Sequence, residues 1–288
     1  MIFLIDETFN VVSDGTDIKY NYYSGKTIMH TPHIHSCYEL YFCPESIAQR
    51  SVICGIEYEH RFPSAIISKP YTMHSMSCID DGPTDFRRYV FNFNDHLIAS
   101  LGIRIFPEGV TDGKMGVLFR LSERDAAYLE SIIRSVYSGS LTPSPEAQGL
   151  ILSFLIERLY ALAGDDGTVA VGTSSYYVQN AMRYIVEHYG ENIDSEQVAA
   201  AFSVSRSKLD RDFRLAAGLS PKDFITSCRI NGAKHRLIDT DMSASAIAVA
   251  TGFSTEAYFY RFFKNHTGLT PNEYKKLHIR KERKQWEK

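Results

Sequence analysis

Ser245-Ala246-Ile247-Ala248-Val249-Ala250-Thr251-Gly252-Phe253-Ser254-Thr255-Glu256-Ala257-Tyr258-Phe259-Tyr260-Arg261-Phe262-Phe263-Lys264 reads as two short helices around a glycine. About fifty residues earlier, Ile193-Asp194-Ser195-Glu196-Gln197-Val198-Ala199-Ala200-Ala201-Phe202-Ser203-Val204-Ser205-Arg206-Ser207-Lys208-Leu209-Asp210-Arg211-Asp212-Phe213 follows the same plan. In the earlier copy Asp194 is a natural N-cap, and Gln197 three residues on completes a capping box. Val198, Ala201 and Phe202 supply an apolar stripe, Ser203-Val204 the turn, and Ser205 the cap of the second helix. Leu209 and Phe213, four apart, face inward. In the later copy Ile247, Val249 and Ala250 are expected to pack, Gly252 to end the first helix and Ser254 to cap the second. Phe259 and Phe263 take the places of Leu209 and Phe213, Arg261 that of Arg211, and Lys264 that of Arg214. Two helix-turn-helix units in one chain imply a polypeptide that reads two successive major grooves of DNA.

The flanking pattern supports this. Val178, Met182, Ile185, Val186 and Tyr189 predict an amphipathic helix ahead of the first unit. Pro221 opens a linker helix through Phe224, Ile225, Ile230 and Leu237, interrupted by Gly232. An exposed charge on a helix is ordinarily only solvated, yet here charge is partitioned along the chain. Residues 175–288 carry 18 Lys and Arg against 13 Asp and Glu, net +5, while residues 1–174 carry 13 against 21, net −8. A mildly acidic chain therefore contains a basic C-terminal module, as phosphate contact requires.

Residues 175–277 resemble the DNA-binding domain of the AraC/XylS-type transcription regulators. The resemblance rests on Ile247-Ala248 through Gly252-Phe253, Tyr258-Phe259, Arg261, Phe263-Lys264, Thr267-Gly268-Leu269-Thr270-Pro271 and Glu273-Tyr274, with Arg229 and Ala233. It implies that second-helix side chains contact base edges: Ser207, Asp210 and Arg211 in unit one, and Glu256, Ala257, Tyr260 and Arg261 in unit two. Arg206, Lys208, Arg214, Thr255 and Lys264 complete the candidate DNA-binding residues. Arg211 and Arg261 suit bidentate contact with guanine, and Asp210 and Glu256 can only accept, as from a cytosine amino group.

The first half is rich in aromatic and β-branched residues. Tyr38–Phe42, Tyr58–Phe62, Ala65–Ser68 and Arg88–Phe93 are strand-like at short spacing, which predicts an antiparallel barrel or sandwich. Two helices should follow. Ser122 and Asp125 cap one through Leu129, Ile132, Ile133 and Val136. The other, Glu146 to Ala163, would bury a stripe of Leu150, Ile151, Phe154, Leu155, Leu159 and Leu162. His33-Ile34-His35-Ser36-Cys37-Tyr38-Glu39 resembles the first motif of the cupin barrel, and Pro70-Tyr71-Thr72-Met73-His74 its second. In metal-using cupins the matching three His and one Glu ligate an ion. His33, His35, Glu39 and His74 are thus candidate ligands for Zn²⁺, Ni²⁺, Mn²⁺ or Fe²⁺, or, with Tyr41 on the same parity, for an organic effector.

The expected fold class is α+β in two domains, a cupin-like antiparallel β-barrel with following helices and then an all-α tandem helix-turn-helix domain. The expected layout is a sensing and dimerisation domain at 1–163, a linker at 164–174 (Gly164-Asp165-Asp166-Gly167 through Ser174) and a DNA-binding domain at 175–288. The function this implies is a regulator of transcription, not an enzyme, with double-stranded promoter DNA, a small-molecule effector and a second copy of the chain as partners. No resident cofactor is expected beyond a divalent metal in the barrel. The alternative is a metal-dependent cupin enzyme fused to a DNA-binding domain. No apolar run approaches the length of a membrane span, Met1–Glu7 lacks the features of a signal peptide, and five cysteines form no CxxC pair. These point to reduced thiols in a cytoplasm.

Overall fold

Strands dominate the first part of this chain and helices the second, as the sequence pattern predicts. The computed structural model describes residues 18–24, 32–79, 86–102, 105–106, 113–137 and 143–277; Met1–Glu7 lies outside them. The first part runs β1 (Ile18–Ser24), β2 (Tyr38–Cys43), β3 (Gln49–Ile53), β4 (Ile56–His60), β5 (Ser64–Ser68), β6 (His74–Cys78), β7 (Arg87–Phe93), α1 (Asp95–Leu101), β8 (Lys114–Arg120), α2 (Glu123–Tyr137), α3 (Pro145–Ala163) and β9 (Thr168–Thr173). All ladders are antiparallel. The strands form two sheets, β1-β7-β2-β5-β8-β9 and β4-β3-β6, rather than one closed ring.

Alternation assigns each face of the larger sheet. Leu40, Phe42, Ala65, Ile67, Tyr89, Phe91, Val117 and Phe119 join Leu129 and Ile133 of α2 and Leu152, Leu155 and Leu159 of α3 in one core. The intervening Tyr41, Cys43, Ile66 and Val90 join Ile53 and Met76 of the smaller sheet in a second core. Side chains on one strand point alternately to opposite faces, so a strand with helices on one side and a sheet on the other is buried along its whole length. Strand β5 is buried at every position.

Two expectations are corrected. The stretch 164–174 is not an open linker. Gly164–Gly167 turns the chain out of α3, and Thr168-Val169-Ala170-Val171-Gly172-Thr173 returns as the edge strand β9 on β8, pairing Phe119 with Thr168 and Val117 with Ala170. Its Thr and Val content is that of a strand former, and the main break between compact units falls later, between Gln179 and Asn180. In α3 the buried residues are Gly149, Leu152, Leu155, Ile156 and Leu159, whereas Leu150 is 64 % and Phe154 40 % exposed. The helix is apolar nearly all round, so periodicity alone did not select its face. No helix among the described residues is long and apolar enough to cross a membrane.

The second unit is helical: α4 (Tyr176–His188), α5 (Ser195–Ala201), α6 (Arg206–Ala217), α7 (Pro221–Asp239), α8 (Ala244–Ala250) and α9 (Glu256–Thr267). Asp194 accepts from the Glu196 and Gln197 amides and Gln197 closes the capping box. Ser205, Ser220 and Ser243 cap α6, α7 and α8. Helix α7 serves both halves of this unit. Phe224 packs on Phe213 with ring centroids 5.3 Å apart, and Ile230, Ala233 and Leu237 join Ile247, Ala248, Phe253, Phe259 and Phe263. At about 1.5 Å per residue its 19 residues span roughly 28 Å.

Candidate DNA-reading face and buried histidine cluster

The two helix-turn-helix units superpose in sequence with an offset that changes at the turn. In unit one Ser203 N donates to Ala200 O and Val204 N to Ala199 O; in unit two Gly252 N donates to Val249 O and Phe253 N to Ala248 O. The offset there is 49. On the second helices, where Leu209 and Phe213 match Phe259 and Phe263, it is 50. Unit two therefore carries one extra residue in its turn, Ser254. For that reason the cap of α9 is Thr255, whose Oγ1 accepts from the Tyr258 amide at 3.1 Å, and not Ser254. The left-handed position is Ser203 (φ 54°) in one unit and Gly252 (φ 77°) in the other.

The first helices also differ from expectation. Ala199 is buried and Ala201 exposed in α5; Ile247 and Ala248 are buried in α8, whereas Val249 is 72 % exposed. A seven-residue helix offers its core only about two turns, so adjacent residues fill it.

Leu209, Phe213, Phe259 and Phe263 are fully buried, which turns the opposite faces of α6 and α9 outward. Arg206, Ser207, Lys208, Arg211 and Arg214 are exposed and Asp210 partly so. Thr255, Glu256, Ala257, Arg261 and Lys264 are exposed, and Tyr260 is half-buried, its hydroxyl accepting from Asn272 at 3.3 Å. The two faces hold their cations differently. On unit one Arg206 pairs with Glu196 (3.0 Å), Lys208 with Asp212 (2.6 Å), Arg211 with Asp212 (3.0 Å) and Arg214 with Asp210 (2.9 Å). On α9 the Arg261 guanidinium lies over the Tyr258 and Phe262 rings, at 5.3 and 5.8 Å. Asp212, which sequence reasoning passed over, grips Arg211 through Nε and not through its two terminal nitrogens.

Arg229 is an internal anchor. Its Nε donates to Tyr189 O at 2.9 Å and its Nη2 to Glu191 O and Ile193 O, satisfying carbonyls beyond the end of α4. Gly232 in α7 is a contact point. A Cβ there would lie 2.4 Å from the Tyr189 hydroxyl, which takes a hydrogen bond from Arg236.

In the first unit His33, His35, Glu39 and His74 come together, all buried, with one potential ligand atom from each lying within 4.8 Å of the others. His33 and His35 precede β2, Glu39 is on β2 in the larger sheet, and His74 opens β6 in the smaller one. His35 Nε2 is 3.1 Å from Glu39 Oε2 and His74 Nε2 is 3.2 Å from Glu39 Oε1. Burial alone would push the Glu39 carboxyl up, but the charge of His74 and hydrogen bonds from His35 and His74 hold it well below the ordinary range. Burial pushes His74 down, and the Glu39 carboxylate more than reverses that.

Two further residues set the cluster's geometry. His74 Nδ1 is 2.8 Å from Thr72 O; a carbonyl only accepts, so Nδ1 carries a hydrogen and Nε2 presents a lone pair when the ring is neutral. Asn92, opposite Glu39 in the β2–β7 register, donates to Glu39 Oε2 at 3.4 Å. Only the register could have revealed Asn92. The donor set suits a divalent late transition ion. Three imidazoles and a carboxylate are its usual ligands, and at bond lengths near 2.1 Å tetrahedral ligands stand about 3.4 Å apart, close to the His35–Glu39 and His74–Glu39 separations. Glu39 Oε1 and His74 Nε2 also lack hydrogen-bond partners of good geometry. Tyr41 is not in this cluster; its hydroxyl donates to Gln49 Oε1 across the two sheets at 2.9 Å. All five cysteines are free, and burial pushes Cys37, Cys43 and Cys54 up to about 12, as for inert thiols.

A helix-turn-helix domain family matches residues 198–277. The melibiose operon regulatory protein of Escherichia coli is 31 % identical over 104 residues, 36 % of this chain and 34 % of that one. The lactose operon transcription activator of Staphylococcus xylosus is 27 % identical over 157 residues, 53 % of this chain and 56 % of that one. The chain thus spans between a third and a little over half of these curated relatives, which are transcription regulators and not enzymes. Among solved structures, unsaturated fatty acid-bound ToxT from Vibrio cholerae has a TM-score of 0.52 at 16 % identity, over 90 % of this chain and 94 % of that one. That likeness is one of fold.

Proposed function

We propose that this chain, whose C-terminal module is a helix-turn-helix domain of the AraC/XylS type, is a one-component transcription regulator acting on promoter DNA in the cytoplasm. The observation that carries the reading is the pair of capped units joined by one shared helix, each presenting a polar second-helix face. Arg211 and Arg261 are assigned to base reading. Lys208, Arg214 and Lys264 are assigned to phosphates, with Arg206, Ser207, Asp210, Thr255, Glu256 and Tyr260 beside them. Selection of bound duplexes from a random pool, followed by titration against salt, tests this. Affinity should fall linearly on a log–log plot, and a flat plot refutes phosphate contact.

The N-terminal domain is assigned to effector sensing. Gln49 and Ser51 share the inward face of β3 with Ile53, and Ser64 and Ser68 share that of β5 with Ile66. Gln49 Nε2 and the three serine hydroxyls are buried without hydrogen-bond partners. Buried polar atoms are almost always partnered, so this lining suits a small effector, or water, that donates and accepts hydrogen bonds. An effector shifts promoter affinity only through unequal affinity for two states of the protein. His33, His35, Glu39 and His74 would hold a divalent metal ion, which when bound supplies positive charge against a buried carboxylate. A homodimer through α2 and α3 would present four reading helices, so the selected site should contain two half-sites.

A further inference from the structure

We propose that a divalent late-transition-metal ion at His33, His35, Glu39 and His74 acts as a clasp between the two sheets, so that its occupancy sets the order of residues 32–37 and 69–78. The proposal rests on the reading of this cluster as a metal site. Three observations lead to it.

The ligands come from three separately held pieces of backbone. Glu39 sits inside the larger sheet, with β5 and β7 on either side of β2. His74 is on β6, an edge of the smaller sheet. His33 and His35 lie on a strap outside any named strand, joined to β6 by the isolated bridge His33–His74, whose two amide bonds are both 2.9 Å, and to Tyr71 by its amide bond to His35 O at 2.7 Å.

The second observation is a pair of buried atoms left unsatisfied. Glu39 Oε1 and His74 Nε2 stand 3.2 Å apart, and neither has a hydrogen-bond partner of good geometry. A cation between them would coordinate both. The third is backbone strain at the same place. Tyr71, next to Thr72, adopts φ 59°, a conformation that bulky residues rarely take and that collects at functional sites. It sets the Thr72 carbonyl, with the Thr72 amide bonded to Lys69 O and its hydroxyl to Met115 O, both at 3.3 Å.

Bound metal would coordinate Glu39 and His74 together with His33 and His35, and so pin strap and β6 to β2. Without it the strap keeps its backbone bonds and the buried side chains of Ile34 and Cys37. The ion class is one that takes imidazole readily; Mg²⁺, which prefers oxygen ligands and keeps its water, should not substitute.

The experiment uses tag-free full-length protein, stripped by chelator and titrated with Zn²⁺ or Mg²⁺. Metal content, the thermal midpoint and amide hydrogen exchange are read on the same samples. Zn²⁺ should bind at one per chain, raise the midpoint of the N-terminal transition by roughly 5–10 °C at a hundredfold excess over Kd, and slow exchange in residues 32–43 and 69–78. Mg²⁺ should do none of these. Glu39→Gln is the discriminating variant, because it keeps the size of the side chain and removes the anionic ligand. Its midpoint should gain nothing from Zn²⁺. Zn²⁺ bound without slower exchange in either segment overturns the clasp and leaves the metal site standing. No bound Zn²⁺, or Zn²⁺ bound equally by Glu39→Gln, overturns both.

Discussion

Arg211→Ala and Arg261→Ala should each erase discrimination at one base pair and leave the rest of the recognised site nearly as before. A bidentate guanine contact contributes about 1–3 kcal/mol of discrimination. Arg211 is 67 % exposed and tied to Asp212 at 3.0 Å. An exposed pair of this kind is worth at most about 1 kcal/mol, and keeping Nε bonded while the terminal nitrogens meet the base need not cost even that. The net effect is thus about 1–2 kcal/mol, a factor of roughly 5–30 in the preference for guanine over other bases. Arg261 lies over the Tyr258 and Phe262 rings; an exposed cation–π contact is worth about 0.5–1 kcal/mol, so its expected loss is similar. The assay is fluorescence anisotropy with a panel of duplexes carrying each single-base change across the selected site. The two variants should flatten the preference at different positions, roughly one helical turn apart. A loss spread evenly over every position would make these residues phosphate contacts, and no loss at all would refute the tandem-reader argument.

Other outcomes follow from the same geometry. Lys208→Ala and Lys264→Ala should weaken binding to all duplexes alike and each reduce the salt slope by about one, as the log–log plots will show. Gly252→Ala should destabilise the C-terminal module by about 2–5 kcal/mol, since it adds left-handed strain to overpacking: its Cβ would stand 2.5 Å from Tyr189 O. Denaturant titration of the variant measures this. Ser203→Gly should raise stability by about 0.5–1 kcal/mol, because glycine accepts the positive φ that serine resists; an unchanged or lower unfolding midpoint would contradict it. Asp194→Ala, which removes acceptors for two helix-end amides, should cost about 1 kcal/mol in the same titration.

The helical half was legible in detail because its signals are local. Asp194, Gln197, Ser205 and Pro221 act within one turn of the chain, and Leu209–Phe213 and Phe259–Phe263 declare their faces by spacing alone. The errors were local too. Val249 was expected inside, but the short α8 fills its core with the adjacent Ile247 and Ala248; Ser254 was expected at the cap, but one extra residue in the second turn shifts that role to Thr255. In the β half, strands β2, β5 and β7 were visible from their aromatic and β-branched runs. The edge strand β9 was not, since its glycines and acidic neighbours looked like a linker and its only requirement is a free edge of β8. The outward turn of Leu150 and Phe154 was equally hidden, because α3 is apolar on every side.

The four-residue cluster divides the same way. Sequence alone determined its chemistry: three imidazoles and a carboxylate, two of them in an HxH pair, and a tandem of capped helices with basic outer faces. What tertiary structure decided was proximity and orientation. Pairing of β2 with β7 put Asn92 beside Glu39, the fold of the two sheets brought His74 to the same carboxylate, and the Thr72 carbonyl chose which nitrogen faces inward. Donor identity is written residue by residue. Distances between donors more than thirty residues apart depend on strand register and packing, which only the assembled chain specifies.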